Sequence, residues 1–314
     1  MTQTLDFIEV APGESPFFCD WYSGVVDDMP EPPGWDPDKP RRPLEDTIME
    51  ALEVPMGLVD VRPCRGIPQY QRAVGLWSHF FADRAMFELS WGGNNDAPPH
   101  FESQGYVSHE AMKVLRRVIP SHRVSRFDVA IDLKGGDALY DVISDEMRKL
   151  HRALGLKTET INHDLPDIGR THYLGSRQSL AMVRLYEKWK HERSKGQPYI
   201  PGHIRVELEI KPQKRSQALR WASVGLEEAW GAAKWTSRLA DRVLRLKAPA
   251  IRRAPPVSKT DQDTFQNILN QYVKTIHRIP EEQAVAMLRA LYSHGRDGLK
   301  KQEREEAEKA SLAA

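Results

Sequence analysis

Alternation of apolar and polar residues at every second position marks the middle of this chain as β structure, because side chains two apart in a strand share a face. In SRFDVAIDL, Phe127, Val129, Ile131 and Leu133 point one way while Arg126, Asp128, Ala130 and Asp132 point the other. MVRLYEK repeats the pattern, with Val183 and Leu185 against Arg184, Tyr186 and Lys188. HIRVELEIK repeats it again, with Ile204, Val206, Leu208 and Ile210 against Arg205, Glu207, Glu209 and Lys211. Further strands are predicted at Met56 to Arg62, Ala73 to Phe81, Met86 to Trp91 and Arg170 to Leu174. Helical periodicity predicts helices at His109 to Val118, Ala138 to Leu154, Ser216 to Trp221 and Trp235 to Leu246. Prolines interrupt the pattern at Met29 to Pro43 and again at Ala248 to Pro256, where neither helix nor central strand can form. Past the second break, Asp261 to Tyr272, Glu281 to Tyr292 and Asp297 to Ala310 read as helices.

These elements predict an α+β fold: an antiparallel sheet with helices on one face and a polar face on the other, followed by a C-terminal helical segment. Three regions follow: an acidic, proline-rich arm over 1–50, a central domain over 51–248 whose start can be placed as early as residue 20, and a helical region over 257–314. A length of 314 residues suits one large or two modest domains. A charged fraction of 28% and a mean hydropathy of −0.57 describe a water-soluble chain. No apolar run is long enough to span a membrane, and the N-terminal residues lack a basic then apolar leader, so a cytoplasmic location is expected. Two cysteines, Cys19 and Cys64, exclude a disulfide framework and lack the spacing of a zinc site.

Net charge changes the picture once it is divided along the chain. The total is +1, which by itself speaks against a nucleic-acid partner. Residues 1–60 hold fourteen acids against three bases, a balance of −11, whereas residues 170–253 hold nineteen bases against seven acids, a balance of +12. Near-neutrality is a cancellation, and the basic stretch is suited to a polyanion. Trp189, Trp221, Trp230 and Trp235 are interleaved with these bases, a composition that serves either base stacking or core packing.

A plain antiparallel sheet with water on one side would account for each amphipathic strand taken singly. Together, however, the three polar faces gather Asp128, Asp132, Glu207 and Glu209 beside arginines, two lysines and one tyrosine. Carboxylates so gathered repel one another unless a divalent cation or Arg and Lys neutralise them, and oxygen-only donors suit Mg²⁺ or Mn²⁺. A metal beside cationic side chains suits phosphoryl transfer, with the tyrosine as nucleophile.

The ordered motifs resemble those of the replication initiation factor family, which comprises rolling-circle initiators of plasmids and filamentous phages and related nicking relaxases. The family pattern of R-x-D-x-A-x-D, Y-x-G-S-R-x-S, R-x-Y-x-K and R-x-E-L is met in order. Here it falls on Arg126, Asp128 and Asp132, then Tyr173, Gly175, Ser176, Arg177 and Ser179, then Arg184, Tyr186 and Lys188, then Arg205 and Glu207. CDWYSGVV, from Cys19 to Val26, resembles the family's opening D-W strand. No His-x-His pair is present, which sets the chain apart from nicking enzymes whose metal sits on two closely spaced histidines.

The resemblance implies origin-specific DNA nicking and joining by tyrosine transesterification, giving a 5′-phosphotyrosine link and a free 3′ hydroxyl. It implies Tyr186 as nucleophile, with Arg184 and Lys188 holding the phosphate and lowering the tyrosine's pKa. Asp128, Asp132, Glu207 and Glu209 are the candidate ligands for Mg²⁺ or Mn²⁺, with one acid alternatively pairing with Arg205. Tyr173, Ser176, Arg177, Arg205, Lys211, Lys214 and Arg215 are the expected DNA contacts; Ser176 and Arg177 could equally serve only to close a hairpin. Implied partners are origin DNA, double-stranded but locally unpaired at the nick, a host helicase and polymerase, and a second copy of the chain, with no membrane. Two other readings stay open: a relaxase for conjugative transfer, and a non-catalytic DNA-binding regulator on the same scaffold.

Overall fold

The computed structural model describes residues 6–7, 15–26, 44–56, 59–78, 85–93, 97–161 and 168–251, with a few positions between 280 and 293. The chain divides into two units, Met1–Ala254 and Pro255–Ala314. In the second, Glu282, Gln283, Val285, Ala286, Arg289 and Ser293 are helical. The expected helices over 261–272 and 297–310 lie outside the described residues.

One antiparallel sheet organises the first unit. Its strands are β1 (Asp6–Phe7), β2 (Phe17–Val25), β3 (Val59–Pro63), β4 (Tyr70–Ser78), β5 (Phe87–Gly93), β6 (His100–Gln104), β7 (Arg123–Lys134), β8 (Thr158–Ile161), β9 (Thr171–Gly175), β10 (Ala181–Tyr186) and β11 (His203–Ile210). The spatial order is β3-β4-β5-β6-β2-β7-β11-β10-β9-β8, with β1 also on β7. β2 therefore lies mid-sheet, between β6 and β7. Helix α1 (Leu44–Met56) falls where the reading of the sequence placed no helix.

All the predicted apolar positions of β7, β10 and β11 are buried, from Phe127 and Val129 to Leu208 and Ile210. Helices cover that face. α2 (Ser108–Val118) packs on β2, α3 (Gly136–Leu154) on β9, β10 and β11, and α5 (Arg215–Trp221) on β7. Leu139, Ile143, Met147 and Leu150 of α3 recur at helical spacing and are buried. His172, on the covered face, is tied to α3 by Ser144 Oγ at 2.8 Å and to β8 by Thr158 Oγ1 at 2.8 Å. Burial lowers its pKa to about 4, so it stays neutral as a structural bridge. Trp221 and Trp230 are buried in this core, which removes both from the candidate stacking residues.

The polar face of β7, β10 and β11 is formed by side chains that are themselves largely buried, Asp128, Arg205 and Glu207 among them. α4 (Lys188–Ser194) begins two residues after Tyr186, at the end of β10. The helix expected to reach Leu246 is shorter: α7 (Lys234–Leu239) passes into a π-helical turn, Ala240–Leu244, which Arg245 closes with φ 54°. Among the described residues no helix is long and apolar enough to cross a membrane.

Candidate active site

Strand register assembles the polar face in rows that cross the strands. One row pairs Tyr186 on β10 with Arg205 on β11, and Arg205 with Asp132 on β7. The next runs Glu159 on β8, Tyr173 on β9, Arg184 on β10, Glu207 on β11 and Ala130 on β7. A third joins Met182, Glu209 and Asp128 to Trp21 on β2. A register shift between Cys19 and Trp21 gives β2 an extra residue, Asp20, and a bulge of this kind re-aims the side chains around it.

The tyrosine hydroxyl is held by a carboxylate. Tyr186 Oη donates to Glu207 Oε1 at 2.7 Å, and Arg184 Nε donates to Glu207 Oε2 at 2.9 Å, with the Arg184 Nη2 also bonded to that oxygen. The Arg184 guanidinium lies 5.2 Å from the Tyr186 ring centre, and the His191 ring meets Tyr186 edge-on at 6.3 Å. Glu207 is 2% exposed, so it is the arginine that lets a charged carboxylate sit there. Desolvation first, and the Glu207 charge second, push the Tyr186 pKa well above its usual 10. Arg205 and Arg184 pull it down, as was expected of Arg184, but burial and the Glu207 charge outweigh them and the net shift is upward.

Arg205 is an internal hub, 7% exposed, where a DNA contact had been expected. It donates to Asp132 Oδ1 at 2.5 Å, to Asp132 Oδ2 at 2.7 Å and to Asp20 Oδ1 at 2.8 Å. Asp132 also has Lys188 Nζ at 3.8 Å and His203 Nε2 at 3.0 Å, the latter off the angle of a hydrogen bond. Burial would raise the Asp132 pKa, but the contacts with Arg205 and His203 and the charges of Arg205 and Lys188 outweigh it and hold the carboxyl well below the usual range. Asp20 goes the other way: burial raises it against the pull of Arg205. Asp128, 1% exposed, is bonded twice by Arg126 Nε at 3.0 and 3.1 Å. Desolvation still dominates and lifts its pKa to about 7.

The four expected metal ligands are thus each engaged by a cation: Asp128 by Arg126, Asp132 by Arg205, Glu207 by Arg184, and Glu209 by Lys211 at 2.8 Å and Arg126 at 3.2 Å. Among the described residues no group of three or more His, Cys, Asp or Glu side chains is disposed to hold a metal ion. The residues as placed do not fit the Mg²⁺ or Mn²⁺ expected of them. The physical reason is that arginine already supplies the positive charge the carboxylates need.

The remaining expected residues spread along the same sheet. Tyr173 stands beside Arg184, and Arg177, in the turn after β9, lies 5.4 Å from the Tyr173 ring centre. That turn is closed locally by Ser176, whose carbonyl accepts from the Ser179 amide at 2.9 Å and hydroxyl at 2.7 Å. Lys211 is committed to Glu209, while Lys214 and Arg215 are exposed at the start of α5, beyond the end of β11. Asp20 is a site residue that the alternation could not reveal. Its signal was the Asp-Trp pair of CDWYSGVV. Two aromatics of β2 complete the face, Phe18 with Arg205 at 4.9 Å and Trp21 with Arg126 at 4.0 Å from their ring centres.

No protein-family model matches the chain, and no curated protein matches it. Among solved structures, the chain is similar to the rolling circle replication initiator protein from Geobacillus stearothermophilus. The two share 18% identity with a TM-score of 0.47, over 75% of this chain and 99% of that one.

Proposed function

We propose that this chain is a DNA nicking and joining enzyme that starts rolling-circle replication through Tyr186. The observation that carries the reading is the Tyr186–Glu207–Arg184 constellation on the polar face of the sheet, with the phenol 2.7 Å from a buried carboxylate. With its pKa held high, the phenol is not stored as phenolate; it needs a base at the moment of attack. Glu207 is that base. Tyr186 Oη bonds to the scissile phosphorus as its proton passes to Glu207, the bond from phosphorus to the 3′ oxygen breaks, and that oxygen leaves as a 3′ hydroxyl with a proton from Lys188 or water. The 5′ phosphate stays on the tyrosine. Arg184 pairs with Glu207 beforehand and faces the phosphate as the proton arrives. Asp132, Asp20 and Arg205 hold the neighbouring row in register.

On this reading origin DNA is the substrate, unpaired at the nick, and a host polymerase extends the released 3′ end as a host helicase unwinds the duplex. A divalent ion, which the sequence resemblance implies, would bind these carboxylates only where a guanidinium releases one of them. The test is incubation of the protein with supercoiled origin plasmid, with and without Mg²⁺ or Mn²⁺. Nicked circles carrying covalently attached protein, absent with Tyr186→Phe, are the expected product. Nicking by Tyr186→Phe at the wild-type rate refutes the assignment. Origin binding with no nicking by either protein would make the chain a DNA-binding regulator.

A further inference from the structure

Beyond the tyrosine, the same row of the sheet ends in a cavity that the nicking chemistry does not use. It has a volume of about 330 Å³ and lies at the β8–β9 edge, lined among others by Glu159, Tyr173, Met182, Arg177, Gln178 and Lys157. Register places it with care. Glu159 pairs with Tyr173, and Tyr173 with Arg184, so the cavity and the catalytic carboxylate Glu207 share one row and one face. Tyr173 is one strand over and two residues along from Tyr186, a separation of about 8 Å between Cα atoms at ordinary sheet spacings. That is the reach of a single extended nucleotide.

The lining is that of a base pocket. Tyr173 offers an aromatic face with the Arg177 guanidinium 5.4 Å from its centre, and an unpaired base stacks on either surface. Met182 supplies an adaptable apolar floor. Lys157 and Arg177 bring positive charge for the flanking phosphates, while Glu159 is an acceptor-only group. Its two oxygens match a base edge with two adjacent donors. Guanine presents such an edge in its ring N1–H and exocyclic amine. Adenine and cytosine offer one amine beside an acceptor, and thymine one N–H between two carbonyls that a carboxylate repels.

We infer that this cavity binds an unpaired guanine one nucleotide from the scissile phosphate, with Glu159 reading its edge and Tyr173 stacking on its ring. The inference rests on the nicking reading for the identity of the strand. Full-length Tyr186→Phe protein is titrated, by fluorescence anisotropy, with short labelled oligothymidines carrying one central guanine, adenine, cytosine or thymine. The guanine strand is expected to bind about tenfold more tightly than the all-thymine strand, the worth of one bidentate base contact. Glu159→Gln, a change at an exposed edge-strand position, is expected to abolish that ratio, and Tyr173→Ala to weaken the guanine strand by about tenfold. Equal affinity for all four strands, or a guanine preference that survives Glu159→Gln, overturns the pocket. So does competition by free guanosine monophosphate as effective as competition by the strand. A guanine preference in a protein that never nicks keeps the pocket and removes the nicking reading; nicking without any base preference does the reverse.

Discussion

Replacing Glu207 by Gln tests the proton path directly, because two effects of opposite sign must compete. Gln keeps a carbonyl oxygen near Tyr186 Oη, so the 2.7 Å contact and the volume are preserved while the base is lost. A positioned general base contributes about 10²- to 10⁴-fold. Against this, the Glu207 charge is the second-largest cause of the raised Tyr186 pKa, and its removal makes the phenol easier to ionise. Desolvation, the largest cause, remains. The phenolate fraction at pH 7 is therefore still well under about one in a thousand, the value for an unperturbed phenol of pKa about 10. Loss of the base wins. Single-turnover nicking at pH 7 is expected to fall by at least about a hundredfold, and the variant's rate to rise about tenfold per pH unit between 7 and 9. The wild type, with its own base, is expected to vary far less over that range. A Gln variant within threefold of wild type at pH 7, or one with an unchanged pH slope, would refute Glu207 as the base.

Three other outcomes follow from the same face. Asp128 is raised in the fold to about 7 from a usual 3.8. A group raised on folding contributes stability that is present below pH 4 and lost as pH climbs through 7, about 4 kcal/mol if the whole shift is realised; Asp128→Asn should flatten this part of the pH profile in urea melts, and equal pH profiles would contradict it. Arg205→Met leaves Asp132 and Asp20 buried without the arginine they share and should cost about 3–5 kcal/mol in the same melts, whereas a loss under about 1 kcal/mol would show that water or Lys188 compensates both acids. At Gly175, φ is +98° and an added Cβ would meet the Ala181 carbonyl oxygen at 2.9 Å, so Gly175→Ala should lower the melting temperature; an unchanged value would mean the β9 turn relaxes freely.

Much of the sheet was legible because its signal is local. The alternation that predicted Arg123 to Leu133, Met182 to Lys188 and His203 to Lys211 coincides closely with β7, β10 and β11. Short or weakly patterned elements were not legible. β6 and β8 carry only five and four residues, too few for a period to show, and α1 begins right after the proline-rich segment that masked it. The site was half legible. Tyr186, Glu207 and Arg184 follow from motif and face, yet the same face implied a metal, since sequence shows that acids and bases coexist but not which of them touch. Much of the basic surplus over 170–253 is consumed in such contacts: Arg170 and Lys190 are paired with Glu187, Arg184 with Glu207, and Arg205 with Asp132.

By itself, then, the sequence determined that β7, β10 and β11 have one apolar and one charged face, and that a tyrosine stands among the charges. A two-residue period needs no partner to be read. Only the tertiary structure decided which charge answers which. Arg205 and Asp20 are 185 positions apart in the chain and meet because β2 enters the sheet beside β7 and bulges there. Glu207 meets both Tyr186 and Arg184 because the β10–β11 register sets Arg184 directly across from it. Pairing of charges depends on register between distant strands, and register is set by the packing of the whole core.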